Sequence, residues 1–137
     1  MAEIHAGSCN CGQVTFSIKG NLRDIMACHC SQCRKQSGLY FAATEAKDAD
    51  LIINGAEHIT WYSASEAAKR GFCKTCGSTL FWKHNELDRT SILAGAFDTP
   101  INVKITEHIF CKDRSRFYDI SDGLPQYDGP PPILKTP

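Results

Sequence analysis

Cys28-His29-Cys30-Ser31-Gln32-Cys33 places three thiols within six residues. Packing does not call for that density, and a disulfide is poorly served by such spacing. Soft sulfur donors at short intervals are what a zinc ion selects, and three protein ligands leave a tetrahedral ion one position short of complete. Chemistry could take place at that open position. Two further pairs, Cys9-Asn10-Cys11 and Cys73-Lys74-Thr75-Cys76, together supply four thiols, the number that closes a structural site. The expectation is therefore two Zn²⁺ ions per chain, one structural and one of the catalytic type.

Each pair sits on a turn built to carry it. Gly7-Ser8-Cys9-Asn10-Cys11-Gly12 is a run of small residues, and Gly77 follows Cys76 where the backbone must leave the second turn. A site on Cys9, Cys11, Cys73 and Cys76 would clamp the start of the domain to its middle across more than sixty residues. Cys28, Cys30 and Cys33 have no obvious fourth thiol. Cys111, the remaining cysteine, stands in Ile109-Phe110-Cys111-Lys112, where alternation makes it an ordinary strand residue and a free thiol. His29 lies between Cys28 and Cys30 and should point away from an ion those two share, which gives it a packing, hydrogen-bonding or substrate-facing role. A thiolate-rich zinc with a free position favours an incoming thiol in its nucleophilic, ionised form. That suits adding a thiol to an aldehyde or cleaving the carbon–sulfur bond of the adduct. The His-Glu-x-x-His signature of zinc peptidases does not occur.

The elements that must position these residues read mainly as strands. In Gln13–Ile18 the apolar Val14, Phe16 and Ile18 alternate with polar neighbours, which is the period of a half-buried strand. Leu22 to Cys28, Leu39 to Thr44, Leu51 to Ile53, Ile59 to Tyr62, Thr79 to Lys83, Thr90 to Ala94 and Glu107 to Cys111 also read as strands. Ser31 to Gly38 makes a short helical turn with Ser31 as cap and Gly38 as stop. Glu45–Asp50 and Ser63–Ala68 read as connections, the second with some helical propensity running into Lys69. The pattern predicts a mainly β fold of small antiparallel sheets.

A chain of 137 residues with 42% hydrophobic and 22% charged residues is expected to form one zinc-binding domain over residues 1–125, followed by a proline-rich tail over 126–137. The start lacks a basic, apolar leader, and no long apolar run is present, so a cytoplasmic protein without membrane contact is expected. In that compartment eight cysteines serve as ligands or free thiols rather than cystines. Seven thiolates and two Zn²⁺ would take the formal charge from zero to about −3, which disfavours nucleic acid as a partner. Arg34, Lys35 and Arg70 are cations near the thiols that could meet the carboxylates of a substrate; individually each reads as a solvated surface charge. Trp61, Trp82, Tyr40 and Phe41 could wall a pocket, although strand aromatics usually serve the core.

Taken together, Gly7-Ser8-Cys9-Asn10-Cys11-Gly12, Cys28-His29-Cys30-Ser31-Gln32-Cys33-Arg34-Lys35, Phe72-Cys73-Lys74-Thr75-Cys76-Gly77-Ser78, and the ending from His108-Ile109 to Asp122-Gly123-Leu124-Pro125 resemble the glutathione-dependent formaldehyde-activating enzyme family, which shares its domain with centromere protein V. The resemblance implies small sheets arranged as a tent around zinc, a structural ion on Cys9, Cys11, Cys73 and Cys76, and a catalytic-type ion on Cys28, Cys30 and Cys33. It also implies a carbon–sulfur lyase activity, interconverting glutathione plus formaldehyde with S-hydroxymethylglutathione. A non-catalytic zinc-binding interaction module and a thiol or zinc carrier are the alternatives.

Overall fold

The computed structural model describes residues 3–132. Ten strands form two sheets. β1 (Ile4–Ser8), β2 (Thr15–Lys19) and β5 (Leu51–Asn54) make a three-stranded antiparallel sheet with β2 in the middle. The larger sheet runs in the order β10 (Ile105–Ile109), β3 (Ile25–Cys28), β4 (Phe41–Lys47), β9 (Arg89–Leu93), β8 (Thr79–His84), β7 (Ala68–Cys73), β6 (Ile59–Tyr62). Its pairings are antiparallel except for β10 with β3, which run parallel. The one α-helix among the described residues, α1 (Ser31–Ser37), follows β3 directly. The mainly β expectation holds.

The alternation in Gln13–Ile18 has its expected consequence. Val14, Phe16 and Ile18 are buried and join Leu80, Phe81 and Ile92 of the larger sheet in one apolar cluster. Phe16 meets Phe81 and Phe97 edge-on, at centroid distances of 5.6 and 5.3 Å. Cys9 and Cys73 belong to the same cluster, so the first thiol group lies against the core between the sheets.

Several local expectations are corrected. β3 begins at Ile25 rather than Leu22, because Arg23 turns its guanidinium to the carbonyls of Asp24 and Ala43 and to Glu45. Glu45 to Lys47 belong to β4 instead of a connection: Glu45 is held between Arg23 at 3.6 Å and Arg89 at 2.8 Å, and Ala46 enters the core. The helix cap is Cys30, whose sulfur accepts from the Cys33 amide at 3.3 Å, while Gly38 ends the helix as expected. The stretch 63–67 forms no helix. β10 stops at Ile109, because Phe110 adopts a left-handed φ of 53°. Cys111 therefore lies in a short 3₁₀ turn, Cys111–Asp113, and not in a strand.

Beyond that turn the chain returns to β10. The His108 amide donates to the Pro125 carbonyl and the Tyr127 amide to the His108 carbonyl, each at 2.9 Å, and Phe110 donates to Gly129 at 2.9 Å. This ladder crosses the boundary expected at 125/126; residues 133–137 lie outside the described part of the chain. No helix among the described residues is long and apolar enough to cross a membrane.

Gly55 makes one close approach on which the smaller sheet depends. It has φ 79°, and a Cβ there would stand 2.0 Å from the Gln13 carbonyl oxygen. Both the left-handed backbone and the clash oppose any side chain. Gly55→Ala should cost about 3 kcal/mol and lower the melting temperature by on the order of 10 °C; a thermal melt within about 2 °C of the parent would contradict this packing.

Candidate metal centres

Two turns of similar construction carry the four-thiol group. In the first, the Cys9 amide donates to the Val14 carbonyl at 2.9 Å and Gly12 to Cys9 at 3.1 Å; in the second, Cys73 donates to Ser78 at 3.0 Å and Gly77 to Cys73 at 2.8 Å. Gly77, at φ 79°, takes the left-handed step that lets the second turn close. All eight cysteines are free, and the sulfurs of Cys9, Cys11, Cys73 and Cys76 lie within 4.8 Å of one another. The Cys9–Cys11 and Cys11–Cys73 sulfurs are 3.6 and 3.7 Å apart. A tetrahedron with metal–sulfur distances of about 2.3 Å has edges of about 3.8 Å, so the four could hold an ion of that size with little adjustment.

Neutral donors favour ionisation at Cys9 and Cys76, whereas Cys11, although the Gln13 backbone amide pulls it down, is pushed up to about 12 by desolvation and the neighbouring thiols. Burial works against the Cys9 thiolate but is outweighed by the Val14 amide, at 3.3 Å from Sγ, and by the Cys11 and Cys73 thiols, so its pKa is lowered. Cys76 is held down to about 5, chiefly by the Ser78 hydroxyl at 3.2 Å and the Ser78 amide. Burying such thiolates beside Phe81 and Leu80 would be costly without these contacts.

The second group comes from the end of β3 and the start of α1. Cys28 is the last strand residue, Cys30 the cap, and Cys33 lies in the first turn of the helix, where three-residue spacing returns its sulfur to the same side. These three sulfurs also fall within 4.8 Å of one another. Hydrogen bonds from Cys28 and Cys33 hold Cys30 down to about 2, while its contacts with Cys30 and Cys33 push Cys28 far up. Cys111 joins neither group, and burial raises its pKa, so it stays a thiol near neutral pH. Both expected cysteine sets thus form compact donor clusters, and the second offers one donor fewer.

His29 points away from the sulfurs that flank it. It is 1% exposed and belongs to a hydrogen-bonded chain whose direction follows from its end. The Asp122 carboxylate accepts from His108 Nε2–H at 2.7 Å. His108 Nδ1 is then an acceptor for His29 Nε2–H at 2.9 Å, and His29 Nδ1 accepts from the Tyr118 hydroxyl. Burial holds the His29 imidazole down at about 4, helped by His108 and Arg114, while the bond from His108 lowers the Asp122 pKa. Both ring nitrogens of His29 are thus committed, and its role is hydrogen bonding. His108 and Asp122 lie in the closing sequence motif, but no local spacing connects them to His29; β10 brings them there by pairing with β3.

Arg70 departs furthest from expectation. Instead of a surface charge it is 4% exposed, with both terminal nitrogens 3.7 Å from the Cys33 sulfur and one donating to the Gln32 side-chain oxygen at 3.2 Å. Alternation with the buried Ala68 on β7 was the available signal. Lys35 is exposed and Arg34 half-buried. Of the aromatics, Phe41 is core, its ring beneath the Arg70 guanidinium, and Tyr40 packs on His29. Trp61 borders a cavity of about 320 Å³ with Leu51, Ile53, Lys69 and Lys83, and no cysteine lines it.

Fold and thiol clusters together define a mainly β protein with two cysteine groups able to hold metal. The chain belongs to the glutathione-dependent formaldehyde-activating enzyme family, whose sequence profile matches residues 4–113. An uncharacterized lyase of Schizosaccharomyces pombe is 25% identical over 119 residues, covering 86% of each chain. A protein of Aspergillus flavus, provisionally named a glutathione-dependent formaldehyde-activating enzyme, is 35% identical over 77 residues, which are 53% of this chain and 40% of that one. The crystal structure of a Rhodobacter sphaeroides protein superimposes with a TM-score of 0.60 at 27% identity, covering 74% of this chain and 99% of the other.

Proposed function

We propose that the protein is a zinc-dependent carbon–sulfur lyase-type enzyme that joins glutathione or another small thiol to an aldehyde and reverses the reaction, as an S-(hydroxymethyl)glutathione synthase does. In this reading one Zn²⁺ rests on Cys9, Cys11, Cys73 and Cys76 and serves the fold, and a second rests on Cys28, Cys30 and Cys33. The observation that carries it is the unequal donor count of two otherwise similar sulfur clusters, four against three. Donor chemistry supports zinc, since thiolates at these separations suit a small tetrahedral ion. When bound, the second ion would favour the ionised, nucleophilic form of a thiol substrate.

The remaining work falls to the chain itself. β3 and the Cys30 cap hold three sulfurs in fixed relation, and Cys28 and Cys30 remain half-buried rather than closed off. The committed nitrogens of His29 keep the imidazole from competing for the vacant position. Family membership and the lyase relative favour thiol and aldehyde over peptide or nucleic-acid substrates, and a cytoplasmic setting fits a protein that needs reduced cysteines.

The test is a titration of the cobalt-substituted protein with glutathione, followed through the visible ligand-field bands. Saturable change at one of two cobalt ions, together with turnover above the uncatalysed addition of thiol to formaldehyde, is expected. Bands indifferent to thiols would contradict the proposal.

A further inference from the structure

Arg70 is a buried cation whose contacts include no carboxylate. It takes part in none of the ion pairs among the described residues; its polar contacts are the Cys33 sulfur and Gln32, and its flat face lies 4.8 Å from the centre of the Phe41 ring. An arginine held in this way, stacked on one side and with two terminal nitrogens directed at one sulfur, is fixed in geometry as well as charge. A buried guanidinium requires a counter-charge, and the one group among its contacts able to carry negative charge is the Cys33 sulfur. Without an ion, although Cys28 and Arg70 pull that thiol down, Cys30 and burial push it up to about 11, so the counter-charge comes with metal ligation, which takes the sulfur as thiolate. The hydrogen-bond partners of the four-thiol cluster are instead neutral, the Val14 amide and the Ser78 hydroxyl.

We infer that Arg70 is the positioning residue of the three-thiol centre, fixing the Cys33 sulfur and offsetting the negative charge of the cluster so that a further anionic ligand can be admitted. Three thiolates about a divalent ion carry a formal charge of about −1, and a fourth takes it to about −2. With Arg70 in place the first value is neutralised, and the incoming thiol, its proton released to solvent, meets no uncompensated negative charge. The four-thiol site, already complete, has no such requirement. This extends the proposed function, resting on it for the thiol ligand but not for the retention of metal.

The test compares the zinc-loaded wild type with Arg70→Met and Arg70→Lys. Release of zinc to a colorimetric chelator is timed, and glutathione affinity is read from the cobalt bands. Arg70→Met should lose the zinc of the three-thiol site at least about tenfold faster, with the other zinc released at the parent rate, and should bind glutathione at least about tenfold more weakly. Arg70→Lys, which keeps the charge but not the fork or the stack, should release zinc at an intermediate rate; it decides the matter if Arg70→Met does not fold. Parental release rates in the folded variants would overturn the inference. A wild type indifferent to glutathione whose zinc retention still depends on Arg70 would remove the lyase reading and leave Arg70 as the residue that fixes Cys33.

Discussion

Cys73→Ser is expected to leave little soluble protein. The Cys73 side chain is fully buried within the cluster formed by Val14, Phe16, Leu80, Phe81 and Ile92, and its sulfur stands 3.7 Å from that of Cys11. The substitution removes one of four donors and leaves a shorter hydroxyl among apolar neighbours. Structural zinc contributes about 10 to 16 kcal/mol of apparent binding free energy near neutral pH, comparable with the whole net stability of a domain of about 5 to 15 kcal/mol. Little offsets that loss, because the Cys9–Cys11 turn is joined to the Cys73–Cys76 turn mainly through these sulfurs and the Asn10 to Ser78 bond of 2.9 Å. Soluble yield and a thermal melt check it. Normal expression with an unchanged melting curve would contradict a structural four-thiol site.

Cys30→Ser has an equally large effect of another kind. Cys30 is half-buried at the head of a seven-residue helix, away from the main core. Serine is itself a favourable helix cap and can accept from the Cys33 amide as the sulfur does, so stability should change by only about 1 kcal/mol. The three-thiol cluster becomes a two-thiol cluster, too poor to retain an ion. One zinc should be lost and turnover should fall by about 100-fold or more, with circular dichroism unchanged. A variant that unfolds, or that keeps both zincs and full turnover, contradicts the assignment of separate roles.

The contrast between these substitutions follows a division that is visible in the sequence because thiol spacing is local. Cys9/Cys11, Cys73/Cys76 and the Cys28–Cys33 cluster each lie within a single turn or one strand end, so each local group is legible by itself; joining the first two into one four-thiol set, across 62 residues between Cys11 and Cys73, rests on thiol count and the similar glycine-flanked turns. The alternation of Val14, Phe16 and Ile18 is local in the same sense. β1 escaped notice because its inward positions are His5 and Gly7, which give no apolar period. The cap escaped because a thiol is not among the usual capping side chains.

What could not be read locally is the environment of the clusters. Arg70 reaches Cys33 only because β7 and α1 pack near each other, and a charged residue of unknown depth is expected on the surface. Asp122, His108, His29 and Tyr118 are joined by the parallel pairing of β10 with β3 and by the return of the C-terminal segment, both contacts of long sequence separation.

The central claim, two sulfur sites of unequal closure, is tested most directly by counting zinc during mild chelation while the fold is followed by circular dichroism. The account predicts two zincs per chain, of which one leaves readily with the spectrum unchanged and the other leaves only as the protein unfolds. Two zincs that resist together, or a preparation that binds a single ion, would contradict it.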